Sequence, residues 1–429
     1  MTGRDTDTRQ FNCTAMAAEA YIYTLPLVVM ETFRRRRIAR AGMHRLLHAP
    51  RLLNPRDRAI TTPNNDTLYT DFWLDLRLGP VRITLPDTAE RYISLHIVDA
   101  WSNTVAVLSP RTTGTGPLTV TLVGPTNDTR GLSGNIIRCP TAMTMGLFRT
   151  LVDGPDDLPG ARAAQAAIVL DSPEYKGEEG SLIDRHAPWQ SYFAEASRLM
   201  QLNSPPVTDL ALLRRIRALG IGPDQHFDPD GFSNADAQAI TEGINQAIVE
   251  LQSMQQASSG ASALSAGWQF PPRNMSVFGQ DYRNRAHIAI TALLALPLEE
   301  ATYIRADAMA GQAFDGRQLW RWHFPAGRPL PADAFWSLTL YEPTADGESF
   351  LVDNQLDRYA IGDRTPGLKI NDDGSLDIWI GHGHPGAARE SNWLPAPPGR
   401  FNLWLRAYHP GTSLIEEKYQ IPALEPVTG

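Results

Sequence analysis

The chain has 429 residues, of which 42% are hydrophobic and 20% charged, and this is the composition of an ordinary globular protein too long for a single core. Its net charge of −8 argues against nucleic acid or an acidic membrane surface as the main partner. Two cysteines, Cys13 and Cys139, are too few for a disulfide framework or a thiolate metal cluster. We therefore expect two or three domains that act on a small-molecule substrate, with no nucleic acid and no membrane, in a chain that can form a homo-oligomer.

The N-terminal segment predicts a cytoplasmic protein. Its first nine residues are polar, without the apolar stretch of a signal peptide. The most apolar early run, Tyr21–Met30, is about half a bilayer span and contains Pro26. Residues 1–57 are predicted to form a helical lead-in with a helix over 13–40, which Pro26 should kink or split.

Between residues 58 and 186 the pattern changes to short β-rich runs separated by Gly, Pro, Asn and Asp, and this is typical of an all-β sandwich or barrel. One short helix is expected over 160–170. The predicted strands of this first β domain are Tyr69–Leu76, Val81–Leu85, Tyr92–Val98, Thr104–Leu108, Leu118–Leu122 and Gly134–Arg138.

Residues 187–300 predict a helical linker segment. Thr208 and Ser233 can cap two amphipathic helices, and Ala286–Leu298 predicts a third helix, apolar nearly all round. Residues 301–429 predict a second β domain. Its predicted strands are Trp320–Phe324, Phe335–Leu340, Leu368–Ile370, Leu376–Ile380 and Phe401–Arg406.

The stretch from Thr61 to Tyr69 contains a proline, two amides, a carboxylate, hydroxyls and a phenol, directly before a predicted strand. Such a group of hydrogen-bonding side chains is either a loop bonded to its own backbone or the wall of a site. No residue pattern here names a reaction.

Several motifs, in order along the chain, resemble the two-domain proteins made of domain of unknown function 1254 followed by domain of unknown function 1214. In the first half they are Pro63-Asn-Asn-Asp-Thr-Leu-Tyr69, Arg91-Tyr-Ile-Ser-Leu95, Arg149-Thr-Leu-Val-Asp153 and Asp157-Leu-Pro159. In the second half they are Phe335-Trp-Ser-Leu-Thr-Leu-Tyr341, Asp357-Arg-Tyr359, Asn371-Asp-Asp-Gly-Ser375, Asn392-Trp-Leu-Pro-Ala-Pro397, Gly399 and Leu405-Arg-Ala-Tyr-His-Pro410. The resemblance implies a mainly β protein with a helical insert: two jelly-roll-like β-sandwich domains joined by an α-helical segment. It implies no reaction.

The candidate catalytic residues are Asp66, Asn65, Tyr69 and His96. Asp66 can accept a proton, and Asn65 and Tyr69 can donate hydrogen bonds to a developing oxyanion. His96 is a natural proton shuttle near neutral pH, although a lone histidine is more often structural.

The candidate substrate-binding residues of the first β domain are Asn64, Tyr92, Trp101 and Arg149. Asn64 fits a turn equally well. Alternation along the strand after Arg91 places Tyr92 and His96 on one face, away from the apolar core face. Arg149 can bind a substrate carboxylate through its bidentate fork, or it can brace the domain in a buried pair with a nearby aspartate.

In the second β domain, the candidate substrate-binding residues are Tyr341, Arg358, Asn392 and Trp393. The loop that begins at Asn392 and Trp393 can close over a pocket, or it can plug the end of the domain.

A metal site at His382 and His384 is a minor alternative, because two histidines at i and i+2 on a strand can chelate a metal but no third ligand is evident. The chain has no Gly-x-Ser-x-Gly elbow, phosphate loop, His-Glu-x-x-His or nucleotide fingerprint. We therefore expect no cofactor.

These residues favour a cofactor-independent small-molecule enzyme that uses proton-transfer chemistry (hydrolysis, elimination or cyclisation), with specialised metabolism as the expected setting. Its pocket is predicted at the open end of the first β domain. One alternative is a protein that binds a glycan or an aromatic metabolite without turnover, since the chain has ten tryptophans. The other is a structural protein whose β domains assemble edge to edge.

Overall fold

The computed structural model describes residues 3–58, 61–177, 182–257, 267–344 and 348–427, with the backbone alone for 3–12 and 255–257. The order is helix, β, helices, β, as the sequence predicts. The protein is β-rich, with five sheets and several helices.

The first helix, α1 (Gly3–Ala41), runs through Pro26 without a break. The prediction that Pro26 splits it is therefore wrong. From Cys13 onward α1 is long and apolar enough to cross a membrane, but 67% of its apolar stretch is buried inside the protein. This burial is that of a core helix: Ala17, Ala20 and Tyr23 are among its fully buried residues.

The first β unit is a sandwich of two sheets with strand orders β1-β2-β8-β4-β5 and β7-β6-β3-β9. Phe72, Ile83, Leu95 and Phe148 belong to the core shared by the two sheets. The elements are β1 (Leu47–His48), β2 (Thr67–Asp75), β3 (Val81–Leu85), β4 (Ile93–Asp99), β5 (Thr104–Leu108), α2 (Pro110–Thr113), β6 (Leu118–Val123), β7 (Asn135–Arg138), β8 (Met143–Leu151), α3 (Leu158–Ala166) and β9 (Val169–Asp171).

The central strand β8 is absent from the predicted strands. All nine of its residues are buried, so both faces carry apolar side chains and the alternation that reveals a half-exposed strand is missing.

The helices after the first β unit pack with α1 rather than forming a bare linker. Trp73, Val98 and Met145, on the outer face of the β2-β8-β4 sheet, belong to the same core cluster as these helices. The helices are α4 (Trp189–Leu202), α5 (Leu210–Ile216), α6 (Asn234–Ala257) and α7 (Tyr282–Thr291).

The predicted helix Ala286–Leu298 is wrong in its second half. Helix α7 ends at Thr291, and Leu294 has a left-handed backbone with φ of 66°, which a right-handed helix excludes. Pro297 lies inside the predicted helix, and a proline there lacks the backbone N–H that the helix interior needs.

The second β unit is also a sandwich. One sheet has the order β10-β19-β14-β15 with β16 paired to β14, and the other has the order β18-β17-β13-β20. The elements are β10 (Ala301–Ala306), β11 (Ala308–Met309), β12 (Gln312–Ala313), β13 (Trp320–Phe324), β14 (Ala332–Pro343), β15 (Ser349–Phe350), β16 (Ala360–Gly362), β17 (Leu376–Gly381), β18 (Trp393–Pro395), β19 (Asn402–Pro410), α8 (Thr412–Ile415) and β20 (Leu424–Pro426).

The predicted strand Leu368–Ile370 is a loop in the structure, and Lys369 and Ile370 are exposed there. Trp320, Trp322, Leu338 and Leu405 belong to the core of the second unit.

The two β units meet through the faces of β2-β8-β4 and β10-β19-β14 that point away from their own cores. Tyr92 and Leu151 of the first unit share an apolar cluster with Phe335 and Tyr408 of the second. The Tyr92 ring contacts those of Phe335 and Tyr408, with centroids 5.5 and 5.3 Å apart. These contacts hold the two sheets face to face.

We predict that Gly243→Ala destabilises the protein by about 1–3 kcal/mol, although alanine normally favours a helix interior. A Cβ at Gly243 of α6 would lie 2.2 Å from the backbone oxygen of Thr14, so the helix pair must separate. Denaturant unfolding measures the change. Gly116→Ala is the matched control, because nothing lies within 4 Å of its Cβ position, and equal stability of both variants would contradict the close approach.

Candidate functional site

Two rows of polar side chains lie on the facing sheets. In the first β unit, Tyr69 of β2 pairs with Arg149 of β8, which pairs with Ser94 of β4. In the second unit, Ser337 of β14 pairs with Arg406 of β19, which pairs with Tyr303 of β10. We define the interdomain polar cluster as Asn64, Asp66, Tyr69, Arg149, Tyr303, Ser337, Tyr341, Arg406 and Tyr408.

The loop before β2 connects the two rows. Asp66 is buried, and its Oδ2 accepts a hydrogen bond of 2.7 Å from the Ser337 hydroxyl of the other unit. Asn64 donates to the Tyr408 hydroxyl at 2.7 Å, while its own side-chain oxygen accepts from the Asp66 backbone N–H. The Tyr341 hydroxyl donates to the Pro63 carbonyl at 2.7 Å. The polar stretch is therefore both a turn and a wall of the cluster.

Arg406 is buried and well bonded. Its guanidinium donates to the hydroxyls of Thr339 and Tyr341, each at 2.8 Å, and to the Thr62 carbonyl at 3.0 Å. The charge of Asp66 also acts on it. Arg406 thus has three hydrogen-bond acceptors and lies within the electrostatic influence of Asp66.

Arg149 is buried with fewer hydrogen-bond acceptors than Arg406. It donates from Nη2 to the Leu294 carbonyl at 2.6 Å and lies over the Tyr69 ring at 5.9 Å. Its Nη1 has no hydrogen-bond partner in the described part of the chain, and none of the described carboxylates forms an ion pair with it. The predicted alternative of an Arg149–aspartate brace is therefore not what the structure has: it is Arg91 that pairs with Asp157.

Three tyrosines of the cluster, Tyr69, Tyr341 and Tyr408, keep their protons. Burial raises the pKa of Tyr69, Tyr341 and Tyr408. The arginines oppose this rise at Tyr69 and Tyr341 without overcoming it. These phenols are therefore hydrogen-bond donors, rather than bases, over the neutral range.

Tyr92 lies at the edge of the cluster and bonds to a buried glutamate. Its hydroxyl donates to Glu300 at 2.7 Å, and its ring contacts that of Tyr408 at 5.3 Å. Burial of Glu300 opposes its ionisation, but hydrogen bonds from His409, Tyr92 and Ser109 outweigh burial and lower its pKa. Arg111 completes this ion pair, so Glu300 is neutralised separately from Arg149.

Two of the candidate catalytic residues, His96 and Asn65, form hydrogen bonds with residues outside the cluster. His96 is fully buried, and its Nε2 pairs with the Thr104 hydroxyl at 2.8 Å. Burial, and secondly the charge of Arg149, lower the pKa of His96 well below its usual value, so a neutral imidazole stands where a proton shuttle was predicted. Asn65 donates to the Leu53 carbonyl and fixes the preceding loop.

The other predicted binding residues form hydrogen bonds with groups outside the cluster. Trp101 is buried in the helical layer, where its indole donates to the Asn203 carbonyl at 3.2 Å. Arg358 and Asn392 bond to backbone groups of the second unit, and Trp393 donates to the Gly381 carbonyl. These last three hold loops of the second unit together.

His382 and His384 do not converge. His382 pairs with the Ala396 carbonyl and lines a cavity of about 340 Å³, which Pro55 and Arg58 also line, whereas His384 pairs with Glu390. Across the described ranges no group of three or more His, Cys, Asp or Glu residues is placed to hold a metal.

The cluster contains residues that were not predicted as site residues: Ser337, Arg406, Tyr408 and Tyr303. The sequence does place Arg406 and Tyr408 on one face of a strand, because they are two positions apart. It does not show which sheet packs against that face.

Asp363, next to β16, is a further carboxylate at the edge. Its Oδ1 accepts from the Trp336 backbone N–H at 3.2 Å, and Arg364 lies 3.8 Å away. Burial raises the pKa of Asp363 to about 6; the Trp336 bond and Arg364 lower it, and the charge of Asp66 adds to the rise. The charge of Asp66 is the smallest of these effects on Asp363.

Comparison with known proteins gives a family without a described activity. Residues 43–172 match the model of a protein of unknown function, DUF1254, and residues 299–412 match that of a protein of unknown function, DUF1214. Among curated proteins, none matches the chain significantly.

Two solved structures are similar. The VPA0106 protein from Vibrio parahaemolyticus is 21% identical with a TM-score of 0.74, over 97% of this chain and 100% of that one, and shows a shared fold. An uncharacterized protein from Burkholderia cenocepacia is 12% identical with a TM-score of 0.46, over 99% of this chain and 96% of that one. The family matches confirm the resemblance: the chain belongs to the two-domain proteins in which DUF1254 is followed by DUF1214.

Proposed function

We propose that the protein is a small-molecule enzyme whose substrate binds at the interdomain polar cluster and whose reaction is a proton transfer. The observation that carries the proposal is the place of Asp66, a buried carboxylate that lies between the two sheets and bonds to Ser337 of the opposite unit. A fixed carboxylate of this kind is suited to accept a proton from a bound substrate.

The neighbouring groups supply the rest of such a reaction. The hydroxyls of Tyr69 and Tyr303 can donate to an oxygen on which negative charge develops, and Arg149 supplies a fixed positive charge in surroundings poor in water. Tyr69 and Tyr303 are only half-buried, whereas Asp66, Arg149 and Arg406 are buried. The substrate would therefore approach past these two rings.

Asp363 is the proposed proton donor. Because its pKa is raised to about 6, part of it is protonated near neutral pH, and its side chain keeps 35% exposure. Two carboxylates in different environments are a common arrangement for an acid and a base. Hydrolysis, elimination and cyclisation all use this pair, and none of them needs a cofactor in this scheme.

The cluster takes residues from both β units, in place of a pocket at the open end of the first unit alone. We further infer that each sandwich is jelly-roll-like, with the helices as the connecting segment. Cytoplasmic location, a role in specialised metabolism and a homo-oligomeric state stay predictions.

The binding-protein alternative has less support. Seven of the ten tryptophans are buried: Trp73, Trp101, Trp268, Trp320, Trp322, Trp336 and Trp393. They are therefore unavailable as stacking platforms for a glycan.

We predict that Asp66→Asn lowers turnover by roughly 10²–10⁴-fold, the usual contribution of a positioned acid or base. Purified wild type and variant are incubated with a metabolite extract in heavy water, and mass spectrometry follows metabolites that gain deuterium or disappear. A change that needs wild type and is lost in Asp66→Asn identifies both the substrate and the base.

The control for this experiment is Asp153→Asn, which removes a carboxylate whose side chain is 60% exposed. It should behave as wild type. If a metabolite is retained by wild type and Asp66→Asn alike and neither changes it, the protein binds without turnover and the proposal fails.

We predict that the stability of wild type relative to Asp363→Asn falls as the pH rises through about 6. The folded-state pKa is above the ordinary value of 3.8, so the folded protein binds more protons than the unfolded chain between these values and loses stability on deprotonation. The asparagine mimics the neutral acid. The change should be on the order of 1 kcal/mol, because a third of the side chain is exposed and solvent screens its charge.

Denaturant unfolding of both proteins from pH 4 to 7.5 measures this difference. A difference that stays constant over the whole range would show that Asp363 titrates alike in the folded and unfolded chains.

A further inference from the structure

We propose that the ligand of the interdomain polar cluster carries a carboxylate, and that Arg149 binds it through its free Nη1. This inference rests on the proposed function for the place of the site, and it adds the chemical class of the ligand.

The charges in and around the cluster are unequal. Arg364 forms ion pairs with Asp363 and Asp153, Arg111 forms one with Glu300, and the charge of Asp66 favours the charged form of Arg406. Arg149 is left without a carboxylate among the described residues, so one buried positive charge is uncompensated. Such a charge is costly to bury unless an anion accompanies it.

The hydrogen-bonding capacity of Arg149 is also incomplete. Nη2 donates to the Leu294 carbonyl, while Nη1 is buried and has no partner in the described ranges. Its side chain is 4% exposed, so bulk water does not compensate it. A carboxylate oxygen is the acceptor that a guanidinium fits best.

The surroundings of Arg149 contain several tyrosine hydroxyls. The hydroxyls of Tyr303, Tyr69, Tyr408 and Tyr92 lie within electrostatic range. Tyr303 and Tyr69 are half-buried, and a ligand would enter past their rings. One row further along β4, His96 is neutral, and its Nδ1 is buried with no partner in the described chain. Around Arg149 the site thus offers hydroxyl groups and a positive charge that no described carboxylate pairs with, since Asp66 bonds to Ser337 instead.

The test uses acetate, because a small carboxylate should reach Arg149 whatever the shape of the natural substrate. The melting temperature is followed while acetate replaces chloride at constant ionic strength, with acetamide as the neutral counterpart. A ligand that binds only the folded state raises the melting temperature. We expect a rise with acetate in wild type and none with acetamide.

Arg149→Gln should weaken acetate binding by about 10–100-fold, as expected for a hydrogen-bonded charge. Arg149→Lys retains the charge without the fork, and should lie between the two. Arg91→Gln removes a guanidinium paired with Asp157 outside the cluster and should leave the acetate response as in wild type.

An equal response in wild type and in both Arg149 variants would overturn the inference, and so would the absence of any response in wild type. If Arg149→Gln fails to fold, the acetate response of Arg149→Lys still tests the inference. Asp66→Asn separates the two proposals: it should lower turnover by roughly 10²–10⁴-fold but keep the acetate response. A response that depends on Arg149, with no proton transfer by wild type, would leave the carboxylate subsite and refute the reaction.

Discussion

The burial of two guanidinium groups between two sheets is the constraint on which the rest of the structure depends. Arg149 and Arg406 are 4% and 3% exposed, and removing a charge from water costs several kcal/mol unless hydrogen bonds and opposite charge offset it. Arg406 obtains this compensation from Thr339, Tyr341, the Thr62 carbonyl and Asp66. The polar loop must therefore run between the sheets, since it supplies both the Thr62 carbonyl and Asp66.

This requirement joins parts of the chain that the sequence places in separate domains. Tyr341 bonds to Pro63 across 278 positions and Ser337 to Asp66 across 271. The segment after α7 is joined as well, because the Leu294 carbonyl accepts from Arg149. The two β units and the connecting segment therefore share one polar interface. Separating the units would expose both arginines and leave the loop without its partners, so the site exists only in the assembled chain.

The sequence predicted those elements whose residues carry a local signal. Val81–Leu85, Thr104–Leu108 and Trp320–Phe324 have the predicted bounds, because alternation and flanking turn residues mark them. Strand β8 was missed because both of its faces are buried, and the end of α7 was missed because it depends on the backbone of Leu294. For the site, Asn64, Asp66, Tyr69, Arg149 and Tyr341 were predicted and do converge. Arg406, Ser337 and Asp363 were not, since their importance comes from the opposite sheet, and no local pattern reports which faces will meet.

A second buried arginine shows how a fold can hold such a charge by itself. Arg285 in α7 also has unpaired nitrogens in the described chain, but it lies 5.3 to 5.4 Å from the rings of Tyr23, Trp101 and Tyr282. Three aromatic faces give a desolvated cation substantial attraction, and Asp209 accepts from two of their hydroxyls. Arg149 has one ring, Tyr69, at 5.9 Å. The helical layer thus encloses its cation in aromatic rings that fill the space around it. The interdomain polar cluster leaves the corresponding side of Arg149 to half-buried tyrosines, and that difference separates a guanidinium built into a core from one arranged to meet an anion.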